Sequence, residues 1–145
     1  MSDPVSRYLS EIGRRGGVRS RRTLTAEQAR AMVTSREAKR AAHEFEHSPL
    51  GAPDSELPGV EIVRAGLRDL ARRERTSDAM LVSIASPRLR QIGIRVPEVI
   101  PQPEEALFDH LEGLHGAGAH SRYNALIRRI VSFARAAAVA RRAYA

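Results

Sequence analysis

The C-terminal segment constrains the fold most, because its apolar residues recur with the period of an α-helix. At about 100° per residue, one sector of a helix over 122–143 collects most of the large apolar side chains of the segment. They are Tyr123, Leu126, Ile127, Ile130, Phe133, Ala134 and Ala137. The pattern predicts a helix that packs one face into the core.

Proline and glycine divide the rest of the chain into further helical segments. Thr25 and Gln28 form a capping-box pair at the start of a helix over 24–47, with Leu24 placed for a hydrophobic staple. Its apolar stripe is thin, which is typical of a helix that lies against a partner or along the outside of a domain. Three prolines and two glycines mark residues 48–59 as a linker.

Helical spacing resumes at residue 60 and continues to residue 75. Thr76 or Ser77 caps the next helix, and Ser86-Pro87 opens a short third helix that Gly93 ends. Prolines keep residues 96–101 extended. A helix from Pro103 directs Leu107, Phe108, Leu111 and Leu114 inward, and Ser121 caps the final helix.

No segment has the pattern of a paired strand, so the sequence predicts an all-α protein. The predicted organisation is a flexible basic arm over 1–23, a long exposed helix over 24–47, a linker over 48–59 and a small helical domain over 60–145. Without cysteine the chain has neither a disulfide nor a cysteine-ligated metal, which fits the cytoplasm. The N-terminus lacks the apolar region of a signal peptide, and no apolar run is long enough for a membrane span.

The basic residues are concentrated at the two ends of the chain, and the net charge is +7. All 24 basic residues except Lys39 are arginine. Glycines let the N-terminal arm conform while its arginines neutralise phosphates, so nucleic-acid contact is one prediction for it and a solubilising tail the other. The candidate residues for binding nucleic acid or a partner are Arg7, Arg14, Arg15, Arg19, Arg21, Arg22, Arg30, Arg36, Lys39 and Arg40.

Residues 43–47 match the zinc metalloprotease motif H-E-x-x-H. Two histidines one helical turn apart, His43 and His47, face the same way to bind zinc, while Glu44 acts as the base. Glu61, His110, His115 or His120 would supply a third ligand.

Three features favour a solvated histidine pair instead. Pro49 ends the helix just after the motif, the extended zincin pattern is missing, and no strand is predicted to hold a substrate. We therefore expect no metal or other cofactor, and a zinc hydrolase is kept as the alternative.

Two other patterns have plain structural interpretations. Residues 77–85 and 87–92 have the order of a helix-turn-helix, but the second helix is too short for recognition, so ordinary packing is favoured. Arginines border both edges of the apolar stripe of the last helix, as snorkelling side chains do around a packed helix. We expect about half of them to pair with the preceding acidic helix, residues 104–112.

Several blocks of the chain resemble small basic bacterial proteins of toxin–antitoxin operons, which accompany nucleotidyltransferase-type toxins. The blocks are residues 12–17 (IGRRGG), 20–25 (SRRTLT), 27–30 (EQAR), 36–40 (REAKR), 87–93 (PRLRQIG) and 120–129 (HSRYNALIRR). The resemblance implies an antitoxin, a non-enzymatic protein that neutralises a partner and binds its operator. Antitoxins are usually acidic, and this chain departs from them with its charge of +7, which favours occlusion of an acidic or nucleotide-binding surface.

These observations predict an antitoxin-like interaction protein that binds a partner protein, and operator DNA, through its arginine-rich arm and exposed helix. The alternatives are a small zinc hydrolase and a nonspecific architectural nucleic-acid binder.

Overall fold

The computed structural model describes residues 4–19 and 23–144, with the backbone alone described for 15–19. Its helices are α1 (Pro4–Arg19), α2 (Ala26–Glu46), α3 (Val60–Ala71), α4 (Ser77–Gln91), α5 (Pro103–His115) and α6 (Ala119–Tyr144), with a 3-10 turn over Gly116–Gly118. The described residues contain no strand, so the all-α prediction is confirmed.

The chain divides into two compact units, Met1–Ala31 and Met32–Ala145. The division falls within α2 rather than at the proline-rich segment. That segment, predicted as a linker over 48–59, belongs to the larger unit. Leu50 joins its core, and the Arg64 guanidinium donates to the carbonyl oxygens of Gly51 and Ala52. The apolar residues among the prolines explain the difference, because burying them holds the segment in place.

Helix α4 lies at the centre of the larger unit, in contact with α3, α5 and α6. The largest fully buried side chains come from four helices and are Phe133, Leu81, Leu89, Leu107, Ile130, Val63 and Val82. The stripe predicted on the last helix is confirmed, since its central residues are buried and the others pack against the core. Phe45 at the end of α2 meets Phe133 edge-on, with ring centroids 6.1 Å apart.

Helix α4 runs without a break through Pro87, so the predicted start of a new helix at Ser86-Pro87 is wrong. Proline removes one backbone hydrogen bond from a helix interior. Burial of Ala85 and Leu89 on either side keeps this helix continuous despite that loss. Without a turn here, residues 77–92 do not form a helix-turn-helix.

Helix α4 ends next to Gly93, as the sequence predicts. Gly93 has a left-handed φ of 86°, and its amide donates to the carbonyl of Arg90. The amide of Ile94 donates to the carbonyl of Leu89, which completes a Schellman motif, and Ile94 is buried.

The last two helices differ from prediction in detail. Helix α5 begins at Pro103 and buries Leu107 and Leu111, but Leu114 is 64% exposed instead of facing inward. Helix α6 begins at Ala119, because the 3-10 turn leads directly into it, so Ser121 lies inside the helix and does not cap it.

Replacing Thr76 with alanine is expected to lower the free energy of unfolding by about 1 kcal/mol. The Thr76 hydroxyl accepts from the amide of Ala79 at the start of α4 and donates to the Asp69 carboxylate. Chemical denaturation measures the loss. Thr76→Ser keeps the hydroxyl and is the matched control; an equal loss in both variants would contradict the capping role.

Candidate interaction surface

Helix α1 carries a row of exposed apolar side chains. The row consists of Val5, Tyr8, Leu9 and Ile12. Their positions differ by three, one and three, which places them on one face of a helix. Between 50% and 66% of each side chain is exposed. We call these four residues the α1 row. Contiguous exposed apolar surface is characteristic of interaction sites, whereas scattered apolar residues need no partner.

The helical conformation of this segment differs from the predicted flexible arm. The segment contains Gly13, Gly16 and Gly17, and α1 continues through all three. Each glycine costs a helix up to about 1 kcal/mol relative to alanine. A helix of this length is marginal in water without a surface to pack on, so the α1 row is the feature able to stabilise it.

Two of the predicted binding arginines have described side chains on α1. Arg7 and Arg14 are exposed and lie on the face opposite the α1 row, seven residues apart. The backbone of Arg15 and Arg19 is helical, and Arg21 and Arg22 lie outside the described residues. One face of α1 is therefore apolar, and the opposite face carries Arg7 and Arg14 together with the exposed Glu11.

The predicted helix over 24–47 is confirmed as α2, including its capping box. The Thr25 amide donates to the Gln28 side chain, and the Gln28 amide donates to the Thr25 hydroxyl. The predicted binding residues Arg30, Arg36, Lys39 and Arg40 are exposed, as are Met32 and Val33. The last turns of α2 are not exposed as predicted. Their buried residues are Ala38, Ala41, Ala42 and Phe45.

The buried end of α2 is held by Arg95, which follows α4. Its guanidinium donates to the carboxylates of both Glu37 and Glu44. The Glu44 carboxylate raises the pKa of Arg95 above its ordinary value, and Glu37 adds to the effect. Glu44, the predicted catalytic base, is therefore occupied by an ion pair.

The two histidines of the zinc motif lie together but do not assemble a metal centre. The rings of His43 and His47 stack with centroids 4.1 Å apart, and Nδ1 of His47 lies 2.8 Å from the His43 carbonyl oxygen. Within 4–19 and 23–144, no three His, Asp or Glu side chains come together to hold a metal ion.

The proposed third ligands are engaged elsewhere or exposed. Glu61 accepts from Arg129, and the His120 ring packs edge-on against Phe108. His110 and His115 are exposed on α5. The zinc hypothesis is therefore left with two histidine ligands in the described part of the chain.

Two clefts in the larger unit have volumes of about 170 and 390 Å³. The smaller is lined by the end of α2 and by residues 92–95, and the larger by residues 49–57 and the end of α6. Neither is lined by histidine, and the smaller is below the roughly 300 Å³ at which small-molecule sites begin. Neither cleft therefore offers the histidines that the zinc hypothesis needs.

Comparison with protein-family models, with curated proteins and with solved structures found no match to this chain. Among the described helices, none has the length and apolar character needed to cross a membrane.

The α1 row is the part of the candidate surface that sequence analysis missed. Its signal was present, because residues 5, 8, 9 and 12 have helical spacing. Three nearby glycines and the density of arginine favoured a flexible arm instead.

Proposed function

We propose that this protein is a non-enzymatic, antitoxin-like interaction protein that binds a partner protein through α1, with operator DNA as a second ligand of its arginines. The observation that supports it is the α1 row. Spacing of apolar anchors by three, four and seven residues is the pattern with which a helix enters a hydrophobic groove on its partner. A nucleotidyltransferase-type toxin is the partner that the resemblance to toxin–antitoxin proteins implies.

The net charge of +7 indicates the character of the partner. An acidic surface is complementary to this charge and would accelerate association at low salt. The expected partner therefore presents an apolar groove on an acidic surface.

Replacing Leu9 and Ile12 with aspartate is expected to abolish binding of the partner. The double variant puts two charges into the α1 row, and burying an unpaired carboxylate in an apolar groove is strongly unfavourable. The tagged full-length protein is isolated gently from its own host and analysed by native mass spectrometry. We expect a complex of fixed stoichiometry for the unmodified chain and the bare chain for the variant.

Val139→Asp is the matched control. Val139 is 67% exposed on α6, in the larger unit, so its substitution places a carboxylate on exposed apolar surface that is not part of the α1 row. The control should retain the partner. A complex that survives Leu9→Asp/Ile12→Asp, or that is lost equally in the control, would contradict binding through α1.

The architectural nucleic-acid binder is the second candidate, and the charge of +7 favours it. It predicts nucleic acid and no stoichiometric protein in the same preparation.

A further inference from the structure

Helix α6 presents a second charged surface, far along the chain from α1. Arg128, Arg135 and Arg142 follow one another at intervals of seven residues and are all exposed. Seven residues are close to two full turns, so the three side chains lie along one face, about 10.5 Å apart in the axial direction. We call them the α6 arginine row.

Two of the three other arginines of α6 bind groups on neighbouring helices, whereas the α6 arginine row does not. Arg129 forms an ion pair with Glu61 of α3, and Arg141 donates to the carbonyl of Gln91 at 3.0 Å. No hydrogen bond or ion pair joins the α6 arginine row to any other described residue. We expected arginines of α6 to pair with the acids of α5. Arg129 and Arg141 instead have their partners on α3 and α4.

Helix α6 contributes no negative charge beside the α6 arginine row. The sequence contains no acidic residue after Glu112, so α6 has none. The residues between the arginines on this face, Ser132 and Val139, are small or apolar and exposed. Three guanidinium groups along one face of a helix that contains no acidic residue make a positive ridge that favours a polyanion.

We propose that the α6 arginine row binds the phosphate backbone of duplex DNA. The row spans about 21 Å, and a duplex carries one phosphate charge for about every 1.7 Å of its axis, so all three guanidinium groups can lie near phosphates of one duplex. Single-stranded nucleic acid is held by stacking on aromatic rings, and Phe133, the aromatic residue between these arginines in sequence, is buried in the core and cannot stack on a base. Contacts of this kind fix the position of the duplex and do not read its sequence.

This surface is independent of the partner-binding function of α1. The two lie in different units of the protein, so we expect substitutions in one row to leave the other row unchanged. It also corrects the interpretation of the last helix as mainly structural: one face packs into the core, while the face with the α6 arginine row is free for a ligand.

The test is the salt dependence of binding to a mixed-sequence duplex of about 24 base pairs, with Arg128→Gln/Arg135→Gln/Arg142→Gln in the full-length chain. Removing three phosphate contacts should reduce the slope of log K against log salt by about 3 and weaken binding on the order of 100-fold at about 0.1 M salt. Fluorescence anisotropy measures both quantities.

Two control variants separate position from charge. Arg128→Lys/Arg135→Lys/Arg142→Lys keeps the three charges and should keep the slope, because counterion release depends on charge. Arg72→Gln/Arg75→Gln/Arg88→Gln removes the same charge from exposed arginines outside α6 and should change the slope by less than about 1. Circular dichroism confirms that each variant is folded.

Three outcomes would overturn the proposal. The slope is unchanged in the α6 glutamine variant, or it falls equally in the control outside α6, or the chain prefers single-stranded DNA of the same sequence. A fourth concerns a second copy of the chain, whose exposed acids on α5 are an alternative ligand. If light scattering shows a dimer that only the α6 variant dissociates, with unchanged DNA binding, the row is a protein interface.

Discussion

Replacing Phe133 with alanine is expected to lower the free energy of unfolding by about 3–5 kcal/mol. The side chain is fully buried on α6 and contacts the Phe45 ring of α2 edge-on. It also lies beside Gly59, where an added Cβ would be 3.3 Å from Cβ of Phe133. Its removal leaves a cavity at the place where three segments meet, and a packed helical core does not collapse fully into such a space.

Urea denaturation followed by circular dichroism measures this loss. Val139→Ala, on the same helix but 67% exposed, is the control and should change the free energy of unfolding by no more than about 0.5 kcal/mol. A loss below about 1 kcal/mol for Phe133→Ala would mean that the ring is not central to the core.

Adding one methyl group at Gly66 is expected to destabilise the protein by about 1–3 kcal/mol. Gly66 lies on the face of α3 that packs on α4. A Cβ there would overlap a methyl of Val82 and stand 2.5 Å from the backbone carbonyl oxygen of Asp78. Since the backbone cannot give way as a flexible side chain does, the clash outweighs the helix propensity that alanine adds, about 1 kcal/mol.

Gly113→Ala is the matched comparison, because Gly113 lies in α5 with open space around the position of its Cβ. This variant should gain up to about 1 kcal/mol. Opposite signs for the two substitutions, measured by thermal and chemical denaturation, are the expected result. A gain in both would contradict the close approach of α3 and α4.

Local signals in the sequence predicted much of the fold. The capping box at Thr25, the Thr76 cap and the Gly93 terminus are each determined by neighbouring residues, and the structure has all three. Pro87 could not be predicted in the same way. Whether a proline ends a helix depends on how much burial its neighbours gain, and that is decided by α3, α5 and α6. The burial of Leu50 could not be predicted in this way either. The segment around it has the composition of a linker, yet it packs as part of the larger unit.

The candidate surfaces were predicted less well than the helices. Composition located the arginines but not their partners. Arg128 and Arg129 are neighbours in sequence, yet Arg129 pairs with Glu61, which lies 68 residues away, while Arg128 pairs with no described residue. Only the packing of α6 against α3 distinguishes them. In the zinc motif the local spacing is right, but a distant residue changes its meaning. The three residues have the spacing that zinc binding requires, while Arg95, 51 residues from Glu44, binds the carboxylate that would act as the base.

Helix α2 has one consequence for how the chain opens. Its last turns are buried with the core, whereas its first turn belongs to the smaller unit and is exposed. The free energy of local opening should therefore rise along this single helix, from nearly zero close to Thr25 towards that of global unfolding at Phe45. A ligand can therefore order the backbone near Thr25 without changing the stability of the core.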